Sequence, residues 1–172
     1  EGWSKKDLLF YLNSLSTGQQ LNIGDIPDDI VANTYFYNVS NNNKQILDII
    51  ISKSQEISSK IWEKRDITIP LKTISEMFIL ASIVEKETSL KREKPIISGV
   101  FYNRIEKKMR LQSDPTVVYA ITQGKRKMER KLTRKDLKIK SKFNTYVNRG
   151  LPPSPICFPG VESLKGTAKP YN

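Results

Sequence analysis

Glu85 is the residue of this chain whose type and setting most resemble those of a catalyst. It continues the face of Phe78 and Ala81 on the stretch Ile74 to Leu90, ISEMFILASIVEKETSL, which reads as a nearly all-apolar helix. A carboxyl group on an apolar stripe loses hydration, which disfavours its charged form and raises its pKa towards that of a general acid. Glu87 points roughly the opposite way, about 200° round the helix. On the residues alone a plainer alternative stays open, because a Glu near a helix end is usually solvated or paired with a neighbour such as Lys86. The chain has no histidine, which excludes Ser-His-Asp and Cys-His nucleophiles and His-based zinc sites. The single cysteine, Cys157, can form neither an internal disulfide nor a CxxC site. Chemistry must rest on carboxylates, amides or hydroxyls, and neither a cofactor nor a metal is expected.

The elements that would position these groups follow from spacing. Thr73 with Glu76 three residues on is a capping box, so the central helix begins near Thr73. Ser4 with Asp7, then Leu8, Leu9, Leu12 and Leu15, predicts a short amphipathic helix stopped by Gly18. Thr34 to Val39, TYFYNV, predicts a strand whose aromatic residues could stack on sugar or base rings or simply pack. Ile46, Ile49, Ile50, Ile57, Ile61 and Trp62 predict a long bracing helix over 44–64, with Lys and Ser outermost. Pro95 restarts a helix that leaves Asn103 and Arg104 near a cleft. Asp114 before Pro115 reads as an N-cap, opening a helix through Ile121 that Gly124 ends.

The 172 residues are 38% hydrophobic, enough for one sizeable core with or without a small appended subdomain. A formal charge of +11 calls for an anionic partner: nucleic acid, a membrane surface or an acidic cell-wall polymer. Most of the excess lies in Lys125 to Lys142, KRKMERKLTRKDLKIKSK, which lacks the interleaved aromatics of a single-strand nucleic-acid platform. Such a run is ordinarily a solvated surface. The proline- and glycine-dense segments Gly150 to Pro155 and Phe158 to Gly160 suit the rigid wall of a groove. No apolar run reaches the roughly 20 residues of a membrane span.

Four segments, ILASIVEKET (79–88), SGVFYNRIEKKMRLQSDPTVVYA (98–120), FNTY (143–146) and GLPPSPI (150–156), resemble in order and spacing the endolytic murein transglycosylase family. The likeness runs from about residue 74 to 168. EGWSKKDLLFYLNSL resembles the end of the family's small LysM-like subdomain, and IPDDIVANTYFY the strand that leads into the catalytic part. The resemblance implies an α+β fold, a helix-rich catalytic core with short strands. Residues 1–40 would be the partial LysM-like subdomain and leading strand, and 41–172 the catalytic domain. It implies that Glu85 is catalytic and that Gln112, Asp114, Asn144, Thr145, Tyr146 and Pro153 line a glycan groove. Phe158-Pro-Gly stands where the family usually has Asn-Pro-Gly. Members continue past the point matching Asn172, so a wall of the domain is expected to be missing here. The start at Glu1 without Met points to an anchoring segment upstream.

The family's chemistry is cleavage of the MurNAc-β-1,4-GlcNAc bonds of nascent peptidoglycan, leaving 1,6-anhydroMurNAc ends. Glycoside hydrolysis ordinarily needs two carboxylates, but here the attacking hydroxyl belongs to the substrate. One residue, Glu85 in this reading, then serves as acid and base, with Glu87 and Asp114 next in line. Peptidoglycan strands are the implied partner, together with peptidoglycan synthases, at the inner membrane and facing the periplasm or cell exterior; nucleic acid is not. A noncatalytic basic module binding nucleic acid or cell-wall polymer through Lys125 to Lys142 is the alternative.

Overall fold

The computed structural model describes residues 1–15 and 19–171. They form six α-helices: α1 (Lys5–Leu15), α2 (Asn43–Glu63), α3 (Ile74–Glu87), α4 (Lys94–Glu106), α5 (Asp114–Thr122) and α6 (Val161–Ala168). Short 3-10 turns lie at Ile23–Asp25, Lys91–Glu93 and Asp136–Lys138. The expected α+β class is overturned, for the β structure among the described residues is one isolated parallel bridge between Ala32 and Gly160. The predicted strand at Thr34–Val39 shows why. Phe36 and Val39 are almost fully exposed and no second strand lies beside the segment. Aromatic and β-branched residues favour a pleated surface only where a partner edge and a packed face exist. Tyr35 instead turns inward, donating from its hydroxyl to the Val31 carbonyl.

The predicted caps at Thr73 and Ser4 hold. Thr73 Oγ1 accepts the Glu76 N–H at 3.1 Å, although Glu76 accepts from the Lys72 N–H and not from the Thr73 N–H that a capping box would use. Asp7 accepts from the Ser4 N–H at 2.7 Å and returns its own N–H to Ser4 Oγ at 3.2 Å. Gly18, the expected stop of α1, lies outside the described residues. α3 ends at Glu87, with Thr88 in extended conformation as its C-cap.

α3 is the axis of the larger core. Every residue from Met77 to Val84 is buried, and the helix packs chiefly on α6 and α4. Close approach of α4 and α6 depends on Gly166, where an added Cβ would stand 3.0 Å from the Lys94 carbonyl carbon and the Pro95 nitrogen. α2 joins two clusters. Its Ile57, Ile61 and Trp62 pack against the α3 core, while Ile46, Leu47 and Ile50 join Leu8, Leu12, Ile26 and Ile30 in a smaller one. Its serines are not all outermost, because Ser54 is buried and its Oγ accepts the Val31 N–H at 3.0 Å. Phe158, the departure from the family pattern, is buried in the smaller cluster, and its backbone pairs with Gly2 and Trp3. No helix of the described residues is long and apolar enough to cross a membrane.

Candidate active site

The two glutamates at the end of α3 face opposite ways into different surroundings. Glu85 points between α4 and α6, and its side chain is 7% exposed. Lys94 Nζ, 2% exposed, lies 3.1 Å from Oε2; the Gly160 N–H donates to Oε2 at 2.9 Å and Ser163 Oγ at 2.6 Å. Gly160 is the N-cap of α6, so this carboxylate also meets the positive end of a helix. The expected upward pKa shift is not found. Burial does push the carboxyl up and is the largest single influence, but the Ser163 and Gly160 hydrogen bonds and the Lys94 ammonium together outweigh it and hold the pKa below the usual carboxylate value. A lone apolar stripe raises a carboxyl pKa, whereas three donors brought by the fold reverse the sign.

Glu87 is exposed on the other side. Ser113 Oγ donates to its Oε1, and Asp114, the next residue, accepts the Tyr146 hydroxyl at 2.6 Å. The cap of α5 explains this arrangement. The N-cap is Ser113 rather than Asp114, and its hydroxyl makes no bond to the helix it precedes. That hydroxyl is left to hold Glu87. Asp114 then opens the first turn with Pro115, its carboxylate at a helix N-terminus.

Two strips of chain build the floor beneath these groups. The Gln112 N–H donates to the Thr145 carbonyl at 3.1 Å and the Ser113 N–H to Thr145 Oγ1 at 3.0 Å, while the hydroxyls of Thr116 and Thr145 meet at 2.8 Å. Gln112 adopts a left-handed φ of 52°, unusual for a residue with a Cβ, and its side chain is exposed. Asn144 and Thr145 are buried. Asn144 Nδ2 donates to the Leu137 and Ile139 carbonyls at 3.1 and 2.9 Å, and its Oδ1 accepts the Tyr146 N–H at 2.9 Å. These two residues therefore brace the floor from below, and Asp114, Tyr146 and Gln112 present its upper side. Arg104 steadies the approach by donating to the Leu111 carbonyl; Asn103 is exposed. Pro153 is exposed on the next segment, which is pinned to α3 where the Ile156 N–H donates to Ser82 Oγ at 3.0 Å. Truncating Asn144 to Ala leaves buried carbonyls unpaired and is expected to cost about 2–3 kcal/mol, read by urea unfolding.

Three of these polar residues were not singled out by sequence. Ser113 competes with Asp114 for the cap, and a Ser directly before Asp-Pro was the available signal. Lys94 and Ser163 left none, since each meets Glu85 only through the packing of α4 and α6 on α3.

The YceG-like family's sequence profile matches residues 1–172. The chain belongs to that family. Over 98 residues this YceG-like chain is 43% identical to an endolytic murein transglycosylase of Bacillus subtilis (strain 168), a match covering 57% of the chain and 26% of the relative. An endolytic murein transglycosylase of Streptococcus pneumoniae serotype 2 (strain D39 / NCTC 7466) is 37% identical over 98 residues, covering 55% of the chain and 17% of the relative. A crystal structure of a yceG-like protein from Listeria monocytogenes superposes with a TM-score of 0.67 at 27% identity, covering 98% of this chain and 55% of the other. The YceG-like chain thus spans about a quarter or less of these two named enzymes' length and about half of the solved relative's.

Proposed function

We propose that this chain is the catalytic part of a lytic transglycosylase acting on peptidoglycan, with Glu87 as its single acid and base. The relatives' activity supports the substrate class. The observation that carries the residue assignment is the contrast between the glutamates. Glu85 is enclosed by three donors that favour its charged form, whereas Glu87 is exposed, held at one oxygen by Ser113 and near the pair of Asp114 and Tyr146.

In this reading a MurNAc-GlcNAc linkage lies over Glu87, whose carboxyl carries the proton it must give. The proton passes to the glycosidic oxygen as the bond to the MurNAc anomeric carbon breaks, leaving GlcNAc with a free hydroxyl and an oxocarbenium-like carbon. The Glu87 carboxylate then takes the proton of the same MurNAc's C6 hydroxyl while that oxygen bonds to the anomeric carbon. The 1,6-anhydro ring closes, Glu87 is protonated again, and no water is consumed. Because the nucleophile is part of the substrate, proximity replaces a second catalytic carboxylate. Asp114 faces the developing positive charge. Tyr146 is no base here: the hydrogen bond to Asp114 pushes its hydroxyl up to about 12, so it stays a donor that fixes that carboxylate. Nascent strands lie outside the cytoplasmic membrane, which is where this reading places the site.

Mass spectrometry of uncrosslinked strands incubated with the protein tests the reaction class. Fragments 18 Da lighter at the MurNAc end than hydrolysis products are expected on this chemistry; reducing MurNAc ends alone would mean that water attacks instead.

A further inference from the structure

Beside the Glu87 face runs a concavity that this chemistry leaves unused. It is a trough of about 1080 Å3 between the start of α1, one flank of α5 and the 124–132 segment, and Asp114, which accepts from Tyr146, stands in its lining. Lys125, Arg126, Lys127 and Lys131 line one side, and Lys86, between Glu85 and Glu87, lines another. Among the described residues none of these five cations is in an ion pair. Two carboxylates also line the trough, Asp7 accepting from Ser4 and Asp114 from Tyr146, and neither is in an ion pair with these cations, which outnumber them. Arg130, also in the wall, forms a two-point pair with Asp136 that steadies the segment carrying the other cations.

Resting on the peptidoglycan reading, we propose that this trough is a subsite for the anionic peptide substituents of the glycan strand, its free cations taking peptide carboxylates while the sugars lie over Glu87. The peptide hangs from the lactyl ether of MurNAc, the sugar whose anomeric carbon reacts, so a peptide subsite must flank the reacting centre. The trough does so through Asp114. Neutral sugars alone would have no use for five unpaired cations, whereas carboxylates are their natural complement, and a concave wall shields such pairs from salt better than an open surface. The substrate class is thereby narrowed to strands that still carry their peptides.

The test is a binding measurement with the Glu87→Gln protein, using peptide-bearing strands and the same strands stripped of peptide by an amidase. Tighter binding of peptide-bearing strands is expected, weakening as salt rises. Combined Lys125→Ala, Arg126→Ala and Lys127→Ala substitution lowers that affinity roughly three- to tenfold and abolishes the discrimination. Among the described residues these exposed side chains make no hydrogen bond, so an unchanged melting temperature is expected; Lys127→Glu gives a second, single-site variant with the same direction of effect. Equal affinity of the parent for both strand types, or a triple variant that still discriminates, overturns the proposal. So does tighter binding of a DNA oligonucleotide than of peptide-bearing strands, which would make the trough a general polyanion site. Cutting of strands by the Glu87→Gln protein would count against the Glu87 assignment and leave the binding comparison standing.

Discussion

Glu87→Gln is expected to abolish release of 1,6-anhydroMurNAc ends while leaving the fold as stable as before. A positioned acid-base group contributes about 10²- to 10⁴-fold, and Gln keeps the shape and the Ser113 hydrogen bond but cannot give or take the proton. The side chain is exposed, so the change in unfolding free energy should stay within about 0.5 kcal/mol. Glu85→Gln should show the reverse pattern. It removes a buried charge from three donors, lowering stability, and at temperatures where the protein remains folded it retains activity. A folded, inactive Glu85→Gln protein beside an active Glu87→Gln one would transfer the chemical role to Glu85.

Lys94→Met carries the largest expected effect on stability. The ammonium is 2% exposed and has one carboxylate partner, so removing it leaves Glu85 buried without its countercharge. Breaking such a pair costs about 3–5 kcal/mol, whereas replacing both partners with uncharged groups of similar shape is often close to neutral. Glu85→Gln with Lys94→Met should therefore recover most of the loss, a coupling that thermal or urea unfolding of the four proteins in a double-mutant cycle reads directly. The pH dependence follows the same pair. Because the folded pKa of Glu85 lies below its unfolded value, its contribution is fully present above about pH 4.3 and is lost as pH falls through the folded value. Stability of the parent should fall on acidification in that window more steeply than that of Glu85→Gln; parallel curves would mean that the ion pair does not govern acid unfolding.

The elements were more legible than the site. α3, its Thr73 cap and its all-round apolar surface could be read from local pattern, because a helix in the middle of a core has to look that way. The strand at 34–39 could not be refused, since pairing depends on what lies alongside and local propensity is silent on that. The two glutamates illustrate the same limit in chemistry. Spacing separates their faces by about 200°, but which face is open and which is filled was decided by Lys94 and Ser163, nine and 78 residues further along the chain. The groove residues divide likewise. Their grouping followed from the resemblance, while Asn144 is buried donating to two backbone carbonyls and Thr145 accepting the Gln112 and Ser113 N–H groups, contacts that no motif displays.

The grip on Glu85 also limits how far α3 can roll about its own axis. With one carboxylate fastened to the starts of α4 and α6, the helix has a rotational lock just before its last turn ends, and Glu87 rides on the opposite side as the end of a lever. A side-chain carboxyl lies roughly 6 Å from the axis, so a roll of about 20° would carry it about 2 Å, enough to part it from Ser113. Misplacement of about 1 Å can cost 10²-fold in rate. Gln at position 85 can still accept from Gly160 and Ser163 and so keeps the lock, whereas Glu85→Ala removes it and is expected to slow turnover at a residue that never meets the sugar, with kcat falling before substrate binding does.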